Sequence, residues 1–87
     1  MTSTASEKDA AIERRLREIL DRDTGIPDAM GIDRDTDLLA AGVSSLETVT
    51  VILSIEEEWA IRFDEGALSR SLFKSLGTLC AGVSERI

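Results

Sequence analysis

The first apolar pattern along the chain predicts an amphipathic helix. Its apolar residues recur at helical spacing: Ile12, Leu16, Ile19 and Leu20. This spacing places them on one face. The helix is expected to run from about Asp9 to a turn cluster at residues 23–27, which contains the only proline. The opposite face carries charges of mixed sign and is expected to be solvated: Glu13, Arg14, Arg17, Glu18 and Asp21.

A long connection follows the first helix, from about residue 24 to residue 43. Six apolar side chains along it are expected to pack onto a core: Ile26, Met30, Ile32, Leu38, Leu39 and Val43. Connections of this length are uncommon in a small domain unless they cross the bundle or carry function. The pattern therefore indicates one long loop between the first and second helices.

The second helix has the clearest start signal in the chain. Ser44 is followed three residues later by Glu47. This is the pattern of a capping box, in which the serine hydroxyl accepts from the Glu47 amide and the carboxylate accepts from the Ser44 amide. The helix is predicted to continue to about Trp59.

Apolar side chains fall on two faces of this helix, because successive residues are about 100° apart. One face is expected to line the core: Thr48, Val51, Ile52, Ile55 and Trp59. The other face, called here the second stripe, consists of Leu46, Val49 and Leu53, flanked by Thr50, Glu56 and Glu57. A helix in a small bundle cannot bury both faces, so the second stripe is expected to stay exposed as a docking surface. The alternative is that another helix of the domain covers it.

The rest of the chain completes an all-α prediction. Residues 60–66 break the periodicity and are expected to return Ile61 or Phe63 to the core, and a short helix is expected at about residues 65–72. A last helix has Ser75 as its cap and one apolar face: Leu76, Leu79, Cys80, Val83 and Ile87. Gly77 and Gly82 are expected to weaken its end. The predicted fold is a bundle of three main helices plus one short helix, with residues 1–7 as a disordered leader and residues 8–87 as one domain.

Composition and charge exclude several classes of protein. A chain of 87 residues forms one small domain, and a single cysteine excludes an intramolecular disulfide. There is no apolar run long enough for a membrane span and no signal-peptide pattern, so a cytoplasmic location is expected. Residues 23–65 hold eleven acidic and two basic residues, a local charge of −9. Such a segment would repel nucleic acid and anionic membranes and attract a partner with a basic surface.

The sequence gives little evidence for a catalytic or metal-binding site. The chain has no histidine, the commonest general base and metal ligand. Cys80 lies in the apolar register of the last helix and is expected to be a core thiol. Adjacent helical positions such as Glu56, Glu57 and Glu58 diverge and cannot converge on one ion. The alternating acids Asp33, Asp35 and Asp37 lack the glycine and terminal glutamate of an EF-hand.

Ser45 is the remaining candidate for a functional residue. A serine in the first turn of a helix is ordinarily a tolerated polar residue. Here it follows Gly42 and a long loop, lies where a helix N-terminus favours a phosphate, and adjoins the second stripe. Anything attached to its hydroxyl would therefore lie beside a predicted docking surface.

At these residues the chain resembles acyl carrier proteins and the carrier domains of polyketide and nonribosomal peptide synthesis. The resemblance runs from about Ile12 to Val83 and centres on three stretches: Asp37-Leu38-Leu39, Ala41-Gly42-Val43-Ser44-Ser45-Leu46-Glu47-Thr48-Val49, and Ile55-Glu56-Glu57-Glu58-Trp59-Ala60-Ile61. It implies an acyl-carrier-protein-like bundle in which Ser45 carries 4′-phosphopantetheine derived from coenzyme A. Gly42 and Ser44 fall within the attachment motif, with Ser44 in the place of the family's usual aspartate. The family's usual proline after the second helix is also absent.

The resemblance further implies a carrier rather than an enzyme. Its partners would be a phosphopantetheinyl transferase, an acyl- or aminoacyl-loading ligase, and a downstream transferase or synthase. Six residues fall at positions that carrier proteins present to such partners: Leu46, Glu47, Val49, Leu53, Glu56 and Glu57. The strings Ala41-Gly42-Val43-Ser44-Ser45, Ser54-Ile55-Glu56-Glu57 and 68–75 are similar to stand-alone bacterial aminoacyl carrier proteins, which are loaded by ligases related to class II aminoacyl-tRNA synthetases. The expected form is a monomer that binds neither nucleic acid nor membrane.

Two alternatives remain at the level of the sequence. A helical adaptor of the same fold would bind a basic partner surface without ever being modified at Ser45. A small hydrolase or metal enzyme has little support in a chain without histidine.

Overall fold

The computed structural model describes residues 4–63 and 71–87. Within these ranges it contains three α-helices and no strand: α1 (Thr4–Asp23), α2 (Ser45–Trp59) and α3 (Leu76–Ser84). The all-α prediction with three main helices is therefore confirmed, and α1 begins earlier than the apolar pattern indicated. The short helix predicted at 65–72 lies mostly outside the described residues, and the two positions that are described, Ser71 and Leu72, belong to a turn.

The core forms where α1 packs against both α2 and α3. The four apolar residues predicted for the inner face of α1 are at most 2% exposed: Ile12, Leu16, Ile19 and Leu20. On α2 the inner face is Val51, Ile52 and Ile55, with Trp59 partly buried against the same cluster. Both Ile61 and Phe63 return to the core after α2. The apolar periodicity therefore predicted the inner faces of α1 and α2.

Arg17 holds the α1–α2 loop against the first helix. Its Nη1 donates to the carbonyl oxygens of Ala29, Met30 and Ile32 at 3.2, 3.2 and 2.7 Å. Its Nε and Nη2 donate to Glu13 Oε2, and Glu13 Oε1 also pairs with Arg34. The prediction that Glu13 and Arg17 are solvated is wrong. Both are partly buried, because the Arg17 guanidinium donates to carbonyls of the loop and the Glu13 carboxylate accepts from Arg17 and pairs with Arg34.

Most of the loop's apolar residues pack as predicted. Ile26, Leu38 and Val43 are buried, and Ile32 and Leu39 are partly buried against the core.

Met30 is an exception, with 49% of its surface exposed. The chain turns at Asp28, which has a positive φ of 54° and accepts from the Gly31 amide at 2.9 Å. This turn directs Ala29 into the core and Met30 outward.

The last helix has the predicted cap and most of the predicted face. Ser75 Oγ accepts from the Thr78 amide at 3.1 Å, and the Thr78 hydroxyl accepts from the Ser75 amide in return. Ile87 is 44% exposed, contrary to the prediction, because α3 ends at Ser84 and the helical register does not reach it. Gly82 is buried, and a Cβ there would lie 2.7 Å from Leu72 Cδ1, so this glycine serves close packing.

None of the helices in the described ranges is long and apolar enough to span a bilayer.

Candidate functional site

The capping box predicted for α2 is present and places Ser45 at the first helical position. Ser44 is the N-cap, with extended backbone angles, and its Oγ accepts from the Glu47 amide at 3.1 Å. Glu47 Oε1 accepts from the Ser44 amide at 2.9 Å. Ser44 and Ser45 are both exposed. The box therefore fixes the N-cap at Ser44 and the start of the helix at Ser45, and Ser45 stays exposed to solvent.

The end of the α1–α2 loop delivers the chain to this position through a tight turn. Asp37 Oδ1 accepts from the amides of Leu39 and Ala40 at 3.0 and 3.1 Å, and the Val43 amide donates to the Leu38 carbonyl at 3.1 Å. Gly42 has a φ of +123°, a conformation that strongly favours glycine. After this turn Val43 is buried, whereas Ser44 and Ser45 are exposed.

The capping box also changes the expectation that free amides at this helix end would favour a phosphate. The Ser44 and Glu47 amides are already bonded to side chains, and the Thr48 amide donates to the Ser44 carbonyl. The amides of Ser45 and Leu46 have no hydrogen-bond partner in the described part of the chain. A phosphate on Ser45 would therefore meet two amides and a neighbouring carboxylate rather than a fully open helix end.

The second stripe is exposed, as the helical angles predicted. Leu46, Val49 and Leu53 are 78%, 55% and 60% exposed, whereas Val51 and Ile55 on the inner face are fully buried. Apolar side chains that stay in solvent along two turns beside Ser45 form a surface suited to contact with another molecule.

A groove of about 740 Å³ runs along α2 from Ser45. Its walls come from α2, from the end of the α1–α2 loop and from Phe73, with Val43, Ile52 and Phe73 contributing from the core. The lining residues are Leu39, Ala40, Val43, Ser44, Ser45, Thr48, Val49, Ile52, Leu53, Glu56 and Phe73. Ser45 thus lines a mostly apolar groove that Val49 and Leu53 of the second stripe border.

The acidic residues near the end of α2 differ in what they contact. Glu56 Oε2 accepts from the Phe63 amide at 2.9 Å, and the Glu56 carbonyl accepts from the amides of Ala60 and Ile61. Ala60 has a φ of +54°, which closes the helix with a left-handed cap. Glu56 therefore helps to hold the chain reversal after α2.

Glu58 pairs with α1. Its Oε1 accepts from Arg15 Nη2 at 2.8 Å, and this hydrogen bond holds the pKa of the Glu58 carboxyl below its ordinary value. Within the described ranges, Glu57 makes no hydrogen bond or ion pair and is exposed. Of the acids predicted to face partners, Glu57 is therefore presented to solvent, whereas the Glu47 and Glu56 carboxylates each accept a backbone amide.

The described residues give little support for a reactive cysteine or a metal site. Cys80 is buried, and the loss of solvent raises its pKa to about 11. Asp33 and Asp37 each accept backbone amides of their own turns. Among residues 4–63 and 71–87, no three potential metal ligands lie close enough together to hold an ion.

An exposed serine at the start of a helix with one buried and one exposed apolar face, preceded by a long loop and packed with the two other helices of the described ranges, is the arrangement of a carrier protein. The chain belongs to the family described as phosphopantetheine attachment site, whose model matches residues 14–83. Carrier proteins are non-catalytic and act with partner enzymes.

Individual relatives show which kind of carrier protein the chain is similar to. It is 39% identical over 62 residues to an aminoacyl carrier protein of Agrobacterium fabrum (strain C58), a match that covers 70% of this chain and 75% of that protein. It is also similar to a chain in the crystal structure of an engineered Bradyrhizobium japonicum glycine:[carrier protein] ligase complexed with a carrier protein from Agrobacterium tumefaciens and ATP. That match has a TM-score of 0.78 and 33% identity over 85% of this chain and 97% of the other. The corresponding complex with AMP gives a TM-score of 0.77 and 34% identity over 83% and 97%.

Sequence reasoning located the helix start and the second stripe but missed the groove. The loop residues that form one wall were expected to pack on the core, and nothing in their pattern showed that they would leave a channel beside α2. The bond from the Phe63 amide to Glu56 was also missed, because it depends on how the chain turns after the helix.

Proposed function

We propose that Ser45 carries 4′-phosphopantetheine and that the protein holds an aminoacyl group as a thioester on this arm. The observation that carries the proposal is the position of Ser45: exposed, fixed by a capping box, and beside both an apolar groove and the exposed second stripe. Gly42 and Ser44 would support attachment by shaping the turn and capping the helix.

In the first step the Ser45 hydroxyl attacks the phosphorus atom of coenzyme A that bears pantetheine. A new P–O bond forms to Oγ, the bond within the diphosphate breaks, and 3′,5′-ADP leaves while the serine proton passes to a base of the transferase. The protein contributes an accessible nucleophile on a rigid turn. It supplies no catalytic group of its own in this proposal.

In the second step a ligase loads the arm. The terminal thiol attacks the carbonyl of an aminoacyl adenylate, so that AMP leaves and a thioester forms. The similarity to a carrier protein seen with a glycine:[carrier protein] ligase supports this assignment, and glycine is the first amino acid to test. A downstream transferase or synthase would then accept the aminoacyl group.

Docking would use six residues of α2: Leu46, Glu47, Val49, Leu53, Glu56 and Glu57. The exposed apolar stripe supplies area, and the acidic segment supplies attraction to a basic partner surface. Charge complementarity raises the association rate more than it raises the affinity. We therefore expect encounters that are transient and weakened by salt. A monomeric carrier domain at 8–87 and a cytoplasmic location complete the proposal.

Intact-mass spectrometry after incubation with coenzyme A and a broad-specificity transferase tests the first step. We expect one phosphopantetheine adduct on the wild-type protein and on Ser44→Asn, which keeps a good helix cap. The adduct should be absent from Ser45→Ala. No adduct with any transferase, including that of the host, would refute the carrier function.

The loading step has a separate test. Addition of the ligase, ATP and glycine to the modified protein should give a further aminoacyl mass increase that hydroxylamine removes. Loading of fatty acyl groups alone would contradict the aminoacyl assignment.

An unmodified helical adaptor is the competing function. Ser44 favours it, because this residue lacks the negative charge that the family usually has beside the attachment serine. Partner binding that is identical for wild type and Ser45→Ala, together with no adduct in protein from native cells, would support the adaptor.

A further inference from the structure

Glu56 is the single charged residue among the described residues that line the groove beside Ser45. The two residues are eleven positions apart in α2, which is about three full turns of helix, so they lie on the same face. Val49 and Ile52 lie between them on that face, and both also line the groove. The groove therefore leads along the helix from the attachment serine to a carboxylate.

The length of this path matches the length of a phosphopantetheine arm. At about 1.5 Å of rise per residue, Glu56 lies about 16 Å along the helix axis from Ser45. The arm has about thirteen bonds between its phosphorus and sulfur atoms, and an extended chain in which three bonds span about 3.5 Å would reach about 15 Å. An arm that follows the groove therefore brings the group on its thiol to Glu56.

The Glu56 carboxylate is held in place and keeps capacity for a ligand. Its Oε2 accepts from the Phe63 amide at 2.9 Å, and its Oε1 accepts no hydrogen bond from the described residues. An ionised carboxylate can accept about four hydrogen bonds. Because the bond to Phe63 already fixes the direction of the side chain, an incoming cation does not have to immobilise it.

The walls of the groove favour an ion pair at Glu56. Ile52 and Phe73 contribute apolar surface and are only 5% and 3% exposed. Opposite charges attract more strongly where apolar side chains exclude water. A ligand suited to this groove is therefore a slender chain that ends in a positive charge.

We propose that Glu56 binds the α-ammonium group of an aminoacyl cargo, with the loaded arm lying in the groove along α2. This inference rests on the proposed function. An aminoacyl thioester carries a cation that a fatty acyl thioester lacks, and the carboxylate complements that cation. Glu56 thereby distinguishes aminoacyl from acyl cargo within the carrier itself, before any partner enzyme docks.

The ion pair also keeps the amino group of the cargo protonated. An α-amino group ordinarily titrates near pH 8, with a pKa of about 8. A carboxylate in contact with it stabilises the charged form and raises this pKa. Only the neutral amine can attack the thioester of a second loaded molecule, a reaction that forms an amide and releases the thiol. Pairing with Glu56 therefore slows this loss of cargo.

The test uses the modified protein with an arm in which an amide replaces the labile thioester. A transferase attaches the arm from coenzyme A analogues that carry a glycyl or a propionyl group, and intact mass confirms complete modification. The propionyl group is the neutral counterpart of the glycyl group, with a methyl in place of the ammonium. An NMR titration of the ¹³C-labelled glycyl α-carbon then measures the pKa of the cargo without a partner enzyme.

Glu56→Gln removes the charge and keeps an oxygen that can accept from the Phe63 amide. We expect the pKa of the glycyl ammonium to be about 0.5 unit higher in wild type than in Glu56→Gln at low salt. Glu57→Gln is the matched control, because it removes the same charge about 100° around the helix. It should leave this pKa within about 0.2 unit of wild type, since exposed charges are screened. Urea unfolding checks that each variant is folded.

A second measurement needs only the wild-type protein. The backbone amide signals of Val49 and Ile52 should differ between the glycyl and propionyl forms, because only the glycyl group is held at Glu56. Identical amide spectra for the two forms would overturn the inference.

The outcomes distinguish this inference from the proposed function. If wild type gains no arm from coenzyme A or its analogues, the proposed function fails. If wild type is modified and its glycyl ammonium has the same pKa as in Glu56→Gln, the carrier function stands and Glu56 is not the ammonium site. An equal decrease of the pKa in Glu57→Gln would assign the effect to the acidic segment as a whole and would also overturn the inference.

Discussion

At the scale of single residues, the acids of α2 have separate tasks despite their similar appearance in the sequence. Glu56 and Glu57 are adjacent and both flank the second stripe. The Glu56 carboxylate is bonded to the Phe63 amide, whereas Glu57 is exposed and bonds to no described residue. Adjacent acids on one helix can therefore differ in whether they stabilise the fold or remain free for a partner.

Alanine substitution should separate these two residues. Glu56→Ala removes the acceptor of a partly buried amide, and we expect the free energy of unfolding to fall by about 1 kcal/mol. Glu57→Ala should stay within about 0.5 kcal/mol of wild type, as is usual for exposed positions. Urea denaturation monitored by the fluorescence of Trp59 measures both. Equal stabilities would show that the bond to Phe63 contributes nothing.

Glu57 should instead matter for docking. Glu57→Lys reverses an exposed charge and is expected to weaken binding of the loading ligase several-fold at low salt and much less at high salt. Titration of the ligase at two salt concentrations provides the measurement. An unchanged affinity at low salt would remove Glu57 from the docking surface.

At the scale of elements, α2 combines a core face and a docking face in one helix. Leu53 is 60% exposed and Ile55 is fully buried, although the two residues are separated by one position and have the same side-chain volume. They form a matched pair for testing the two faces.

Ile55→Ala should lower the free energy of unfolding by about 2–5 kcal/mol through the lost burial and the cavity left behind. Leu53→Ala should change it by no more than about 0.5 kcal/mol but should weaken ligase binding. Chemical denaturation gives the first comparison and a binding titration the second. A strongly destabilised Leu53→Ala would mean that the second stripe is covered in solution.

Arg17 is the side chain of α1 that donates hydrogen bonds to the α1–α2 loop. Arg17→Ala removes the donor to three loop carbonyls, and we expect it to cost about 2 kcal/mol of unfolding free energy. Arg14→Ala is the control, because Arg14 is exposed and makes no hydrogen bond within the described ranges. Hydrogen exchange should show faster exchange of loop amides in Arg17→Ala alone. Similar exchange in both variants would contradict the anchoring role.

At the scale of the whole molecule, the fold keeps its own thiol out of the chemistry proposed for the arm. Cys80 is 1% exposed on α3, and burial raises the pKa of its thiol to about 11. The raised pKa favours the protonated thiol, so at pH 8 only about one molecule in a thousand would carry the reactive thiolate.

Thiol labelling at pH 8 tests this separation. The unmodified protein should react only after denaturation, whereas the phosphopantetheine form should gain one fast-reacting thiol. Cys80→Ser should leave the fast reaction of the modified protein unchanged. Rapid labelling of the native unmodified protein would show that Cys80 is accessible.

Features that depend on residues close together in the chain were predictable from the sequence. Helical periodicity identified the inner faces of α1 and α2, and the Ser44–Glu47 pair identified the start of α2, because hydrogen bonds and burial there involve residues a few positions apart. The same angles predicted the exposure of Leu46, Val49 and Leu53.

Contacts between groups far apart in the chain were visible only in the folded molecule. Arg17 meets the loop carbonyls, Glu56 meets Phe63, and the loop and Phe73 leave a groove beside Ser45. These contacts depend on the path of irregular backbone. That path follows no periodic pattern, so the sequence does not show which distant group a charged or apolar side chain contacts.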